Sequence, residues 1–379
     1  MKIAYLSYAA IPSRMANSVH VMKMCASLGK LGHDVALYAP DRAADCEPGV
    51  RDPFDFYGID RLFRIIKLPW PEIRFRSIFY ALAIFRAVPR NRPDLIYSRY
   101  LFGNAILAIR GYRSVFETHS PVWEESAFQG LLLRLLCAWG RVTSIVTISD
   151  SLRRAYVSRG FRPTGGTILA RDAADFRSQD GGRSPIPARS ERLQVGYVGQ
   201  LYPGKGMEVI AAIAPRMPEV DFHVVGGYEK DIEKWRRSIS GANVHFHGFV
   251  NPAEVGGYLK ALDVCLLPNQ TVVKTVSSRG SDTNIAQYTS PLKMFEYMAQ
   301  GKAIVCSRLP VLQEVLDDSM AQFATPDDPE EWIKAINAFQ DPIMRSEFGG
   351  NARRAYQANH TWEVRAEKIL NDVEGFPVA

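Results

Sequence analysis

The opening of the chain already restricts its architecture. Lys2 to Tyr8 is a short apolar run, Asn17 to Lys30 has helical spacing, and Gly32-His33-Asp34 turns into a second apolar run, Val35 to Tyr38. Strand, helix and strand in so little chain form a βαβ unit, which implies a parallel sheet with helices on its faces. The loop Ala9 to Ala16 should then lie at the carboxyl edge of that sheet, where open α/β folds bind ligands. It lacks the G-x-G-x-x-G pattern, which argues against NAD or FAD there.

The same grammar restarts later. Asp94 to Tyr97, Ser114 to Glu117 and Ser144 to Ser149 read as further strands, with Asp150-Ser151 capping the helix that follows. After Arg177 to Arg192, a stretch rich in Ser, Arg, Gly and Pro without a period, strands are expected at Leu193–Val198, Phe222–Val225, Val244–His247 and Asp263–Leu267. A chain of 379 residues is too long for one ordinary core. Two doubly wound α/β domains, 1–180 and 193–359 joined by a linker at 181–192, are therefore expected to face each other across a cleft.

Composition narrows the function classes. Hydrophobic residues make up 47% and charged residues 23%, the balance of a globular protein rather than a disordered one. Cys25, Cys46, Cys137, Cys265 and Cys306 are odd in number and scattered, which points away from a zinc site or disulfide framework and toward a reducing cytosol. Met1-Lys2 and the apolar run after it lack a cleavage site of small residues, and no uncharged stretch reaches the length of a membrane span. A net charge of +6 favours anionic partners. Basic and acidic residues are interleaved without a nucleic-acid motif, so nucleic acid is not expected.

Two stretches of the second half carry anion-binding chemistry. In SPLKMFEYMAQGKAIVCS, Ser290 to Ser307, Ser290 is expected to cap a helix whose first residue is Pro291, and Gly301 to stop it before a strand, Ala303–Cys306. A helix mouth presents unpaired N–H groups and a positive dipole end, which suit a diphosphate. Glu296 lies roughly 9 Å further along the axis, within reach of a ribose diol. A surface pair between Glu296 and Lys293 is the equally weighted alternative. The second stretch, Gly199 to Gly206, reads G-x-x-x-x-G-K but has Gly206 where a P-loop has Ser or Thr, and Pro203 removes one donor. What remains is Lys205, a cation on a glycine-flanked strand-to-helix loop. In the first half, His119 follows a strand directly, where it is either an ordinary loop residue or a group working in the crevice.

Taken together these residues resemble retaining glycosyltransferases of family 4 with the GT-B fold. The likeness runs through Gly32-His33, Thr147-Ile148-Ser149, Asp172 to Phe176, Gly199 with Lys205-Gly206, Phe246-His247-Gly248 and, most specifically, Ser290 to Ala299. It implies transfer of a sugar from a nucleotide-diphosphate sugar, UDP- or GDP-linked, to a hydroxyl of a glycan or lipid-linked acceptor, with retention and without a metal. It further implies that Lys205 and the amides of Leu292 and Lys293 meet the diphosphate, Glu296 the ribose, and the backbone of Gly248, Phe249 and Val250 the base. His119 matches the histidine beside the reacting sugar, and Gly199, Gln200, Tyr288, Ser290 and Pro291 fall in the donor motifs. Two positions depart from the family: Tyr288 stands where the first Glu of E-x7-E is usual, and Gln200 where an arginine usually assists the lysine. The last helix, about 360–379, is implied to pack back on the first domain. A sugar-nucleotide epimerase of the same fold and a catalytically silent nucleotide-sugar binder are the other readings.

The acceptor side is less legible. Pro69 to Arg92 is an apolar helical stretch with arginines at both ends, and Gln129 to Trp139 is Leu-rich with Arg134. Each reads either as a buried helix or as a face docking on anionic lipid, with Trp70 and Phe75 near the interface. The second reading would put a cytoplasmic protein at the inner face of the cell membrane.

Overall fold

A computed structural model of the protein describes residues 1–73, 76–176, 186, 191–273 and 284–374. The chain divides into two compact units, Met1–Arg171 with Trp362–Ala379, and Asp172–Thr361. Of the expected linker 181–192, only Ile186, Glu191 and Arg192 are among the described residues.

The first unit begins with β1 (Lys2–Leu6), α1 (Ala16–Lys30), β2 (Asp34–Pro40), α2 (Pro53–Tyr57), β3 (Phe63–Leu68) and α3 (Arg76–Ala87). It continues with β4 (Leu95–Ser98), α4 (Leu101–Ala108), β5 (Ser114–Thr118), α5 (Val122–Glu125), α6 (Ala127–Ala138), β6 (Val142–Thr147), α7 (Asp150–Ser158) and β7 (Thr167–Leu169). Its strands form one parallel sheet in the order β3-β2-β1-β4-β5-β6-β7. The second unit runs β8 (Leu193–Val198), α8 (Met207–Ile213), β9 (Val220–Val225), α9 (Glu229–Ser238), β10 (Val244–Gly248), α10 (Val255–Ala261) and β11 (Val264–Leu267). After these come α11 (Leu292–Ala299), β12 (Ala303–Ser307), α12 (Pro310–Gln313), β13 (Ala321–Ala324), α13 (Pro329–Ala338) and α14 (Pro342–Asn359). Its sheet is also parallel, in the order β10-β9-β8-β11-β12-β13. A final helix, α15 (Trp362–Glu374), belongs to the first unit and packs against α1.

Both sheets follow from strands apolar on both faces: β8 and β9 are buried along their whole length, as parallel strands covered by helices must be. Three strands are not visible in the sequence pattern. β3 carries exposed Arg64 and Lys67 on a sheet edge, while β7 has three residues and β13 four, too few for a period to register. Ser149, not Asp150-Ser151, caps α7: its hydroxyl accepts the N–H of Leu152 at 3.2 Å, and Asp150 in the first turn pairs with Arg153 and Arg154.

The apolar stretch 69–92 divides between core and surface. Trp70 is 7% exposed and packs edge-on to Tyr8 and Tyr80, so it is a core residue and not an interface anchor. Phe75 lies outside the described residues. On α3, Tyr80, Ala81 and Ile84 face inward, while Ile78, Phe79 and Leu82 are exposed.

Candidate functional site

In the second unit β8 leads to β9 and β10 on one side, and the chain then crosses back to β11, β12 and β13 on the other. The order reverses between β8 and β11, and a crevice opens at such a switch point beyond the carboxyl ends of the strands. The turn after β8 carries Gly199 and Lys205, and the segment after β11 leads into α11. Main-chain hydrogen bonds knit the neighbouring turns together. Gly199 N–H donates to Val225 at 2.9 Å, Gly226 N–H to Gly248 at 2.7 Å, and Gln270 N–H to Gly204 at 3.0 Å.

Gly206 explains why this loop is not a P-loop. It is the N-cap of α8 with φ +104°, and a Cβ there would run into the Pro268 carbonyl, so no Ser or Thr fits. Gly199 is held as tightly. Its φ is +147°, and an added Cβ would sit 3.2 Å from the Tyr197 hydroxyl and 3.6 Å from Lys293 Nζ.

Two ammonium groups meet at this edge. Lys205 is half-buried and lies over the Tyr202 ring, 5.1 Å from its centroid, and burial pushes its pKa down to about 8. Lys293 Nζ lies 3.8 Å from the centroid of Tyr197, a ring fixed by its hydroxyl's 2.7 Å bond to the Gln200 carbonyl. That nitrogen is buried and has no hydrogen-bond acceptor among the described residues. Burial, and then the charge of Lys205, holds Lys293 well below the usual lysine range, against the opposing influence of Glu296 and Cys306. The surface pair between Lys293 and Glu296 is therefore not formed as a hydrogen-bonded contact.

The helix that carries Lys293 starts one residue later than its sequence suggests. Pro291 is the N-cap, with φ −73° and ψ 124°, and Leu292 is the first helical residue. Ser290 does not cap it, because its buried hydroxyl accepts the N–H of Asp172 at 3.2 Å. The amides of Leu292 and Lys293 fall in the first turn, where N–H groups lack intrahelical partners. Gly301, at φ +62°, ends the helix with bonds from Gly301 to Met298 and from Lys302 to Tyr297. Glu296 is half-buried one turn in; Tyr288, also half-buried, precedes the helix; Phe249 and Val250 follow β10.

Sequence reasoning named Gln200 but missed Asn269 and Ser307. Asn269, just beyond β11, is 1% exposed and neither end of its amide is hydrogen-bonded among the described residues, where Gln200 Oε1 and Ser307 Oγ are likewise unpartnered. Buried amides left unbonded are uncommon and costly, and a bound polar ligand is one way to satisfy them. Elsewhere in the same sheet, His223, His245 and His247 stack across β9 and β10, with His223 Nδ1 2.9 Å from His247 Nε2. Alternation along two adjacent strands put them on one face, a signal available from the sequence.

His119 belongs to the first unit, directly after β5, and is part of a buried charge network. Its Nε2 lies 2.7 Å from Glu117 Oε1, and His20 Nε2 is at the same distance from that oxygen. Arg365 of α15 brings Nη2 to 2.9 Å, and the Tyr97 hydroxyl bonds the other carboxylate oxygen. Burial alone would raise the Glu117 pKa; the charges of Arg365 and His20 outweigh it and hold the carboxyl well below its usual range. His20, Glu117 and His119 have the donor types of a metal centre, with ligand atoms within 4.8 Å of one another. A guanidinium already occupies the shared oxygen, so the carboxylate's charge is balanced without an ion. A cavity of about 630 Å³, bounded by Arg110, Arg113 and Arg141 among others, opens at the amino ends of β4, β5 and β6, away from His119.

Comparison with known proteins agrees with this geometry. Residues 18–168 match the profile described as Glycosyltransferase Family 4, and residues 192–341 that described as Glycosyl transferases group 1. Among curated proteins, the sulfoquinovosyl transferase of Arabidopsis thaliana is 22% identical over 84% of this chain and 64% of its own length. A phosphatidyl-myo-inositol mannosyltransferase of Mycobacterium tuberculosis is 26% identical over 45% of this chain and 44% of its own. The chain thus spans less than two thirds of either relative. Among solved structures, the sucrose-phosphate synthase of Thermosynechococcus elongatus superposes with a TM-score of 0.75 at 18% identity, covering 99% of this chain and 98% of that one. HepE of Anabaena, solved with UDP and glucose, gives 0.73 at 16% identity over 99% and 100%. With two parallel α/β units of this strand order and both halves matched, the chain belongs to the family 4 glycosyltransferases and has the GT-B fold.

Proposed function

We propose that this protein transfers a glycosyl group from a UDP- or GDP-linked sugar to a hydroxyl of a glycan or lipid-linked acceptor, with retention at the anomeric carbon. The observation that carries the reading is the meeting of Lys205, Lys293 and the first turn of α11 at the switch point of the second sheet, a cationic edge suited to a diphosphate. HepE, a structural relative, was solved with UDP, which supports a uridine donor. In this reading Glu296 holds the ribose diol. Gly248, Phe249 and Val250 approach the base, Gly199, Gln200, Tyr288, Ser290 and Pro291 shape the donor pocket, and His119 serves the reacting sugar.

The chemistry requires positioning and charge more than a nucleophile. The bond from the anomeric carbon to the diphosphate oxygen breaks with its electron pair on that oxygen. The acceptor oxygen bonds to the carbon on the same face, and its proton passes to the departing phosphate. Lys205 and the amides of Leu292 and Lys293 stabilise the charge on the leaving group, the part a divalent cation plays elsewhere. Incubating the protein with UDP- and GDP-sugars and candidate acceptors, then reading the product's anomeric configuration by NMR, tests this. An inverted product would end the retaining assignment, and a changed sugar nucleotide formed without acceptor would identify an epimerase.

The outer faces of α3 and α6 favour an acceptor held at a lipid surface. Ile78, Phe79 and Leu82 on α3 and Phe128, Leu131 and Trp139 on α6 are exposed, with Phe102 of α4 stacked on Phe128 between them. Arg76, Arg86 and Arg134 are exposed on the same two helices. Apolar groups flanked by arginines suit an anionic bilayer surface. Among the described residues no helix is long and apolar enough to cross a membrane, so contact would be peripheral. Flotation with phosphatidylglycerol vesicles should carry the protein upward at low salt; no binding at any salt would return both faces to ordinary surface.

A further inference from the structure

We propose that the side-chain ammonium of Lys293, and not only its main-chain amide, is a ligand of the diphosphate, forming with Lys205 a two-lysine clamp on either side of the switch point. The proposal rests on the donor reading above and extends it to a group for which that reading has no need. It starts from an imbalance inside the second unit. A buried ammonium is ordinarily paired, because an unpaired one forfeits its hydration. Lys293 Nζ is buried and has no hydrogen-bond acceptor among the described residues. The Tyr197 ring beneath it, its centroid 3.8 Å away, offsets part of that loss but supplies no hydrogen-bond acceptor.

The surroundings are incomplete in the matching sense. Asn269 is 1% exposed with both amide ends unbonded among the described residues, and the buried Gln200 Oε1 has no partner among them either. These residues follow β11 and β8, the two strands that flank the switch point. Lys205, on the turn after β8, is near enough for its charge to act on Lys293. Two lysine amines close enough to influence each other, beside amides unbonded among the described residues, form a site that an anion with several oxygens would complete. A pyrophosphate group has enough oxygens to accept from both ammonium groups and from the first-turn amides together.

The test is titration calorimetry on the full chain with inorganic pyrophosphate, UDP, GDP, ADP and the matching nucleosides. Wild-type protein is compared with Lys293→Met, Lys293→Gln and Lys205→Met. Wild type should bind pyrophosphate and at least one of the nucleotides. Each Lys293 variant should weaken both by 10- to 100-fold while changing nucleoside affinity less than about twofold. Its ligand-free melting temperature should equal or exceed wild type, because the variant no longer buries an amine that lacks a hydrogen-bond acceptor among the described residues. Gln200→Arg in the Lys293→Met background should recover part of the diphosphate affinity. If the Lys293 variants bind pyrophosphate like wild type while Lys205→Met does not, the clamp is wrong and the donor site stands. If the variants melt lower without ligand and keep diphosphate affinity, Lys293 is a structural cation and the proposal is overturned. If wild type binds no diphosphate, the donor reading and the clamp fall together.

Discussion

Lys293 Nζ and the Tyr197 ring stand 3.8 Å apart in the interior of the second unit, and the nitrogen has no acceptor among the described residues. An arrangement of this kind is poor for the empty protein and good for the loaded one. A buried amine without an acceptor becomes a hydrogen-bonded ammonium when an anion arrives. The predictions below follow from that asymmetry and from its counterpart around Glu117.

Removing the cation on the turn after β8 should disable the donor site without disturbing the fold. Lys205→Met replaces a half-buried ammonium with a side chain of similar length. Hydrogen bonds to charged groups contribute about 1.5–3 kcal/mol, so kcat/KM should fall roughly 10- to 100-fold with an unchanged circular dichroism spectrum. Glu296→Ala should cost as much if it holds the ribose. Rates near wild type in both variants would remove the donor assignment.

Diphosphate affinity should depend on pH in the alkaline range. The Lys205 pKa is near 8 in the free protein because burial disfavours the charged form. A bound anion favours that form and raises the pKa. Affinity is therefore full below pH 8 and declines as pH rises through 8 toward the bound-state value. Lys293, held low by burial and by Lys205, should take up a proton on binding. Calorimetry in two buffers of different ionisation enthalpy would show net uptake; zero uptake at pH 8 would contradict it. In the empty protein the sign is reversed. Its folded state carries fewer protons than the unfolded chain between pH 8 and about 10.4, so this contribution to stability grows with pH there.

Glu117→Gln should destabilise the first unit severely. Arg365 is nearly fully buried, 2.9 Å from the Glu117 carboxylate, and the variant leaves its charge without a counter-charge. Breaking a buried pair on one side costs about 3–5 kcal/mol, which urea unfolding would register. The same pair predicts acid sensitivity. Because the folded pKa is depressed, the contribution is complete above the usual carboxylate value and is lost as pH falls through the lowered one. Arg365→Met with Glu117→Gln should recover part of the loss, and a double variant no better than the single one would refute the pairing.

Gly206→Ala should damage the lysine loop more than its size suggests. At φ +104° with Pro268 against the Cβ position, alanine must distort the turn that carries Lys205. Strain of this kind costs on the order of 1–3 kcal/mol, visible as a lowered melting temperature together with weaker diphosphate binding. A variant that melts and binds like wild type would show that the loop tolerates the bend.

If charge stabilisation comes from lysines and amides, activity should survive extensive dialysis against EDTA. Loss of turnover that a divalent ion restores would overturn the metal-free reading and turn attention to His20, Glu117 and His119.

Much of the fold was legible because parallel strands leave continuous apolar runs, and Leu193–Val198 was read with its observed ends. The glycines that bend the chain after β8, β9 and β10 were equally visible. The edge strand β3 was not, since its exposed Arg64 and Lys67 interrupt the run. Ser290 misled because a serine before proline has the local chemistry of a cap, while its actual partner, Asp172, lies 118 residues away. Lys205 could be picked out from its loop alone. Lys293 was read as a site residue through its main-chain amide or as half of a surface pair, since nothing local announces that a helix will turn its amine onto a buried tyrosine. Asn269 went unremarked for the same reason. Trp70 could be read as part of a buried helix or as an interface anchor, and the packing of Tyr8 and Tyr80 makes it core.

The bond between Arg365 and Glu117 also imposes an order on biosynthesis. A ribosome delivers Glu117 early, yet the guanidinium that neutralises it is not made until all of Asp172–Thr361 has been translated. During that interval the nascent first unit carries a carboxylate without its counter-ion, whereas the second unit is already continuous in sequence. Translation therefore completes Asp172–Thr361 before α15 is available to seal the first unit.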